Sequence, residues 1–145
     1  MAMNNNLIQG LLDLLLENVD FSNIGDSTGL QGSGSAGDFY LSLHTADPGA
    51  SGSQNTSEVA YTGYARVAIA RGSGQFTQSG NVFSFAATQS FPACTGGSAT
   101  ATYAGIGTSS TGAGELLWTG AITPSLAISS GLTPQLTTGT TFTLA

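Results

Sequence analysis

His44 is the only histidine of the chain, and Ser42 and Asp47 stand close enough to it in sequence to be weighed with it as a hydrolytic triad. In an extended segment, residues two apart project to the same side, so the Ser42 hydroxyl and the His44 imidazole can meet. The rest of such machinery is missing. No strand-to-helix nucleophile elbow presents the serine, and no oxyanion loop accompanies it. His44 therefore reads as a structural residue near a sheet edge or turn. One histidine and one cysteine cannot supply the usual zinc ligands. Cys94, the single cysteine, cannot form an intrachain disulfide and reads as a buried, reduced thiol.

The acids Asp13, Glu17, Asp20, Asp26, Asp38, Asp47, Glu58 and Glu115 are scattered, in no spacing that suggests a glycosidase pair or a calcium loop. Their expected use is in solvated turns or as partners of Arg66 and Arg71. Gly32, Gly34 and Gly37 match G-x-G-x-x-G, but they follow coil and enter a strand, whereas a dinucleotide site needs a strand before and a helix after. A linker is the expectation there. Asn55-Thr56-Ser57 is a glycosylation triplet, read as part of a polar loop. Tyr40, Tyr61, Tyr64, Tyr103, Phe76, Phe83, Phe85, Phe91 and Trp118 suit a core or a subunit seam better than a sugar-stacking platform. The expectation is a protein without catalytic, cofactor-binding or metal residues.

The elements that would position these residues fall into three stretches: a helix over 1–20, a Gly/Ser-rich linker over 21–37 and a β-domain over 38–145. Asn4 to Asn6 offer N-cap side chains, and Leu7, Ile8, Leu11, Leu12, Leu15 and Leu16 then form one apolar stripe, with Gly10 weakening the helix and Leu14 widening the stripe. Those six residues are the candidate interface, for docking or self-association. The spacing leaves open whether the stripe packs on its own sheet or on a neighbouring protein. The stretch does not read as a signal peptide, because no basic residue precedes it and Asp13 and Glu17 interrupt it, and it is too short to span a bilayer.

From Asp38 the pattern changes to short alternating runs: Phe39 to His44, Tyr64 to Arg71, Gln75 to Gln78, Val82 to Phe85, Gln89 to Phe91, Ala99 to Gly107, Leu116 to Ile122, Leu126 to Ser129 and Thr140 to Leu144. Turn signals at Asp47-Pro48-Gly49, Ser79-Gly80-Asn81, Thr95-Gly96-Gly97, Thr111-Gly112-Ala113-Gly114 and Ser130-Gly131 separate them. The expected fold is all-β, an antiparallel β-sandwich or jelly roll with one N-terminal amphipathic helix, a barrel being the nearest competitor.

Charged residues make up only 7% of the 145 residues, against about a quarter in typical soluble domains, and eight acids face two arginines for a formal charge of −6. Phosphate contacts need clustered Lys and Arg, so nucleic acid is an unfavourable partner, as is an anionic membrane surface. A surface of Ser, Thr, Gly and Ala loses little rotamer entropy when buried, which suits lasting contact with other subunits.

Tyr40-Leu41-Ser42-Leu43-His44-Thr45-Ala46-Asp47-Pro48-Gly49 resembles a family of small tailed-bacteriophage structural proteins, often labelled tail fibre proteins and in some phages capsid cement or decoration proteins. The likeness continues through Ser57-Glu58-Val59-Ala60-Tyr61-Thr62-Gly63-Tyr64-Ala65-Arg66-Val67-Ala68-Ile69-Ala70-Arg71, Ser90-Phe91-Pro92-Ala93-Cys94-Thr95-Gly96-Gly97, Gly105-Ile106-Gly107-Thr108 and Gly114-Glu115-Leu116-Leu117-Trp118-Thr119-Gly120-Ala121. It implies a virion protein made in the host bacterial cytoplasm and no catalytic residue. The first expectation is a cement protein on the capsid exterior that bridges major capsid protein subunits and pairs with itself as a dimer or trimer. The alternative is a tail-associated or tail fibre protein that contacts host surface glycans.

Overall fold

Alternation of Phe39, Leu41 and Leu43 with more polar neighbours produces strand β1 (Asp38–His44), which lies inside a four-stranded sheet whose strands run Val67–Ala70, β1, Ser98–Gly107 and Leu116–Ser129 in spatial order. The computed structural model describes residues 2–25 and 28–144. In chain order the other strands are β2 (Val67–Ala70), β3 (Phe76–Ser79), β4 (Val82–Phe85), β5 (Gln89–Ser90), β6 (Ser98–Gly107), β7 (Leu116–Ser129), β8 (Gln135–Leu136) and β9 (Thr141–Thr143). A three-stranded sheet β3-β4-β9 and the pair β5-β8 complete the set among the described residues. The fold class is the expected one, all-β with antiparallel pairing and one N-terminal helix.

Two compact units divide the chain. One comprises Phe39–Ile69 and Gln89–Leu136. In it β1 and β6 pair from Tyr40↔Gly107 to His44↔Tyr103, which sets Leu41 opposite Ile106 and Leu43 opposite Ala104, all buried. The alternation expected from Tyr64 starts later, at Val67. Tyr64 is taken up elsewhere: Gly63 turns the chain at φ +96°, and the Tyr64 hydroxyl accepts from the Leu43 amide at 3.1 Å. The two strands expected over 116–122 and 126–129 are one, β7, whose register with β6 jumps from Ala101↔Leu126 to Tyr103↔Ala121.

The other unit comprises Met1–Asp38, Ala70–Thr88 and Thr137–Ala145. Its β3-β4 hairpin turns at Gly80-Asn81, with Gly80 at φ +61° in the first central position, where a II′ turn places glycine. Register brings Phe76 opposite Phe85 and Phe83 opposite Phe142. The four rings form an aromatic cluster, stacked at 5.1 Å for Phe83–Phe142 and edge-on at 5.8 Å for Phe76–Phe83.

Helix α1 (Asn5–Leu12) starts where Asn4 accepts from the Asn6 amide, a side-chain N-cap. It continues as a π-helical turn over Asp13–Glu17 and stops at Asn18, which adopts a left-handed conformation. Ile8, Leu12 and Leu16 are buried within the chain. The ring of Phe21 lies so close to Gly10 that a β-carbon there would meet it at 2.5 Å, which accounts for a glycine in mid-helix. No helix of the described residues is long and apolar enough to cross a membrane.

Candidate interaction surfaces

Ser42 and His44 do meet. Their Oγ and Nε2 atoms lie 2.9 Å apart, and both residues are fully buried. His44 Nδ1 lies 2.8 Å from the Thr56 carbonyl, to which only an N–H can donate, so the neutral ring accepts from the Ser42 hydroxyl at Nε2. Burial, the dominant influence, holds the imidazole below its ordinary value of 6.5; the Thr56 carbonyl and the charge of Glu58 oppose this, and Arg66 adds to it. Asp47 takes no part, since its carboxylate accepts from the Gly49 amide in an exposed turn. The pair bolts β1 to the loop that carries Thr56, and the enclosed serine has no opening toward a substrate.

The same unit holds a network built from residues far apart in sequence. Arg66 makes a bidentate pair with Glu58, Nε to Oε1 at 2.7 Å and Nη2 to Oε2 at 2.8 Å, with only 2% and 16% of the two side chains exposed. Its remaining donors reach the carbonyls of Ser109 at 2.8 Å and Gly112 at 2.7 Å, and the Tyr64 hydroxyl donates to Glu58 at 2.8 Å. The Glu58 hydrogen bond raises the guanidinium's proton affinity, and burial raises that of Tyr64. Gln54, fully buried, donates to the Tyr40 carbonyl and accepts from the Ser109 amide. Gly107 and Gly114 make room for it, because a β-carbon at either would lie 2.2 to 2.3 Å from its side chain. This network was not legible in the chain order; the single clue was that one of only two arginines stood among alternating apolar residues.

In the helix-bearing unit, Arg71 does comparable work. It donates to the Leu15 carbonyl at 2.6 Å and the Leu14 carbonyl at 2.7 Å, neutralising the negative end of the helix, and also to Ser33 and Ala36. The Gly/Ser-rich coil is fastened too. Asn18 exchanges two hydrogen bonds with Ser33, Asp20 accepts from the Gly32 amide, and Phe21 bridges Leu30. The amides of the G-x-G-x-x-G stretch are thus spent in part on side chains of this chain.

The five leucines and one isoleucine of the stripe divide. Ile8, Leu12 and Leu16 are buried, Leu7 and Leu11 are half-buried and Leu15 is exposed. Leu11, Leu14 and Leu15, with Leu144 and Arg71, line an open, mainly apolar groove of about 430 Å³. Large exposed apolar residues among the described ones are Met3, Leu15, Val19 and Leu30, all in the first thirty positions.

The remaining candidates stay structural. Cys94 is a free, buried thiol whose Sγ lies 3.3 Å from the Gly96 carbonyl. Asn55 is exposed in a loop, held by Ser53. Phe76, Phe83, Phe85, Phe91 and Tyr61 are buried, while Tyr40, Tyr64, Tyr103 and Trp118 are partly covered. Asp26 lies outside the described residues. Among the described residues no group of three His, Cys, Asp or Glu is placed to hold a metal ion.

Residues 28–142 match the family model described as Gp80, Podophage GP4 fiber I protein gp80. An all-β chain with that match over most of its length is a structural protein of tailed-bacteriophage particles, and its place is the virion. The chain belongs to the Gp80 family, which carries the fibre name. The matched span takes in β1 to β8 and most of β9, and α1 precedes it. No curated protein matches the chain.

Proposed function

We propose that this protein is a fibre-type building block of a podophage particle, held to a neighbouring virion protein through the leucine groove of its helix-bearing unit. The groove carries this reading: Leu11, Leu14, Leu15 and Leu144 line a concavity that the described residues leave open, and a virion protein with few charged side chains anchors through apolar contact. Most aromatics are used inside the fold, which favours an attachment role over one that reads host glycans through stacking.

A second reading is a capsid cement protein that bridges major capsid protein subunits on the outer shell. The near-absence of charge favours it, since a Ser/Thr/Gly/Ala surface can be buried permanently at low entropic cost. It acts by linkage: a partner that binds only the assembled shell stabilises that shell. Counting copies in purified particles by quantitative mass spectrometry separates the two, with hundreds indicating cement and a few to a few tens indicating a fibre. Particles grown with the Leu15→Ser variant should lose the protein while the free variant keeps the parent's melting behaviour. Normal incorporation of the variant would sink the anchoring role of the groove.

A further inference from the structure

Segments far apart in sequence meet at the leucine groove of the helix-bearing unit. One wall is the end of the helix, with Leu11, Leu14 and Leu15; another is the coil, with Gln31 and Ser33. Leu144 completes the lining, tied to the β3-β4 turn because its amide donates to the Asn81 carbonyl at 2.8 Å and its carbonyl accepts from the Asn81 side chain at 3.1 Å. The coil wall has little stiffness of its own. Gly32, Gly34 and Gly37 lie in it, and a β-carbon at Gly34 or Gly37 would touch nothing within 4 Å. Asn18 holds the backbone of Ser33 from the foot of the helix.

Arg71 lines the same groove, and its donors are divided between the helix wall and the coil wall. Nε donates to the Leu15 carbonyl at 2.6 Å and Nη2 to the Leu14 carbonyl at 2.7 Å, both among the last carbonyls that a helix leaves without a partner of its own. Nη1 serves the coil, donating to Ser33 Oγ and to the Ala36 carbonyl, each at 3.2 Å. The Arg71 amide also donates to the Gly37 carbonyl at 3.0 Å, which fixes the root of the side chain against that coil. Neutralising a helix end needs only a cation near its carbonyls, and a lysine serves for that. A planar, rigid fork that bonds both walls does more, because it sets how far apart they stand.

We infer that Arg71 is the positioning residue of the groove, holding the helix wall and the coil wall at one separation so that an apolar segment of the neighbouring virion protein meets a preformed site. This role rests on the reading of the groove as the attachment site. Walls fixed in advance spare the complex the cost of ordering a glycine-rich coil on binding.

Arg71→Lys in the full chain tests this, in particles and in the free protein. Lysine keeps a charge beside the helix end, so Arg71→Lys should retain the helical circular dichroism of the parent. It replaces the fork with a compact point donor, so its incorporation into particles, counted by quantitative mass spectrometry, should fall about tenfold. Hydrogen exchange in the free variant should quicken about tenfold at the Gly32 and Ser33 amides and keep the parent's rate in β3 and β4. Incorporation of Arg71→Lys at the parent's level, or unchanged exchange at Gly32 and Ser33, would overturn the role of Arg71 while leaving the groove in place. Normal incorporation of Leu15→Ser would instead remove the attachment reading, and with it the site that Arg71 positions. Should Arg71→Lys fail to fold, Ser33→Ala decides, since it deletes one coil acceptor and keeps the bonds to the helix end. Its incorporation should fall about threefold, and a parental level would overturn the role.

Discussion

At the scale of single residues, the buried polar side chains among the described residues have hydrogen-bond partners. His44 illustrates the consequence for pH. Burial lowers its proton affinity in the folded chain, so the unfolded state binds the proton first as pH falls. The associated stability is fully present above pH 6.5 and is lost as pH drops below it, by at most about 1.4 kcal/mol per pH unit. Denaturant titrations at pH 7 and pH 5 should show His44→Gln losing less stability over that interval than the parent, despite being less stable at pH 7. Gln54 is a case without titration. Gln54→Ala leaves the Tyr40 carbonyl and the Ser109 amide without their buried partner, and chemical denaturation should record a loss of about 2–3 kcal/mol. Arg66→Ala should be costlier, about 3–5 kcal/mol, because it strands Glu58 in a site with little access to water.

At the scale of elements, the helix shows how one stretch of leucines serves two purposes. The π-helical turn over Asp13–Glu17 keeps Leu12 and Leu16 both buried while Leu14 and Leu15 line the groove. Leu12→Ala should therefore destabilise the chain by about 2–5 kcal/mol, and Leu15→Ala by less than about 0.5 kcal/mol, in the same thermal or denaturant assay. Arg71→Ala removes donors from the Leu14 and Leu15 carbonyls at the helix end. Far-ultraviolet circular dichroism should show a reduced helical component, with a loss of about 1–2 kcal/mol. Alternation made most strands visible in the chain order, and the turn residues did as well: Gly49, Gly80, Gly97, Gly112 and Gly131, one from each expected turn, all have positive φ. The two-residue strands β5 and β8 are held by pairing with each other, and β8 is too short to show a period of its own.

At the scale of the whole molecule, the scarcity of charge governs behaviour. For a fibre-family protein with two arginines and no lysine, contacts within the particle should be apolar and backbone-mediated. Raising salt from about 0.05 M to about 1 M shortens the Debye length from more than 10 Å to about 3 Å, yet a chain with so few charged side chains has little to screen. Release of the protein from purified particles, measured by sedimentation, should be unchanged or reduced across that range; salt-driven release would point to an ionic interface.

The order of residues by itself determined the all-β class, the N-terminal helix, the turn positions and the family, because those depend on local periodicity, on glycine's access to positive φ and on extended blocks of matching sequence. Only the tertiary structure decided that Ser42 and His44 are sealed away, that Glu58 and Arg66 draw in carbonyls more than forty positions distant in sequence, and which stripe residues remain open. Burial and long-range hydrogen bonding depend on which segments chain folding brings together, and no local pattern carries that information.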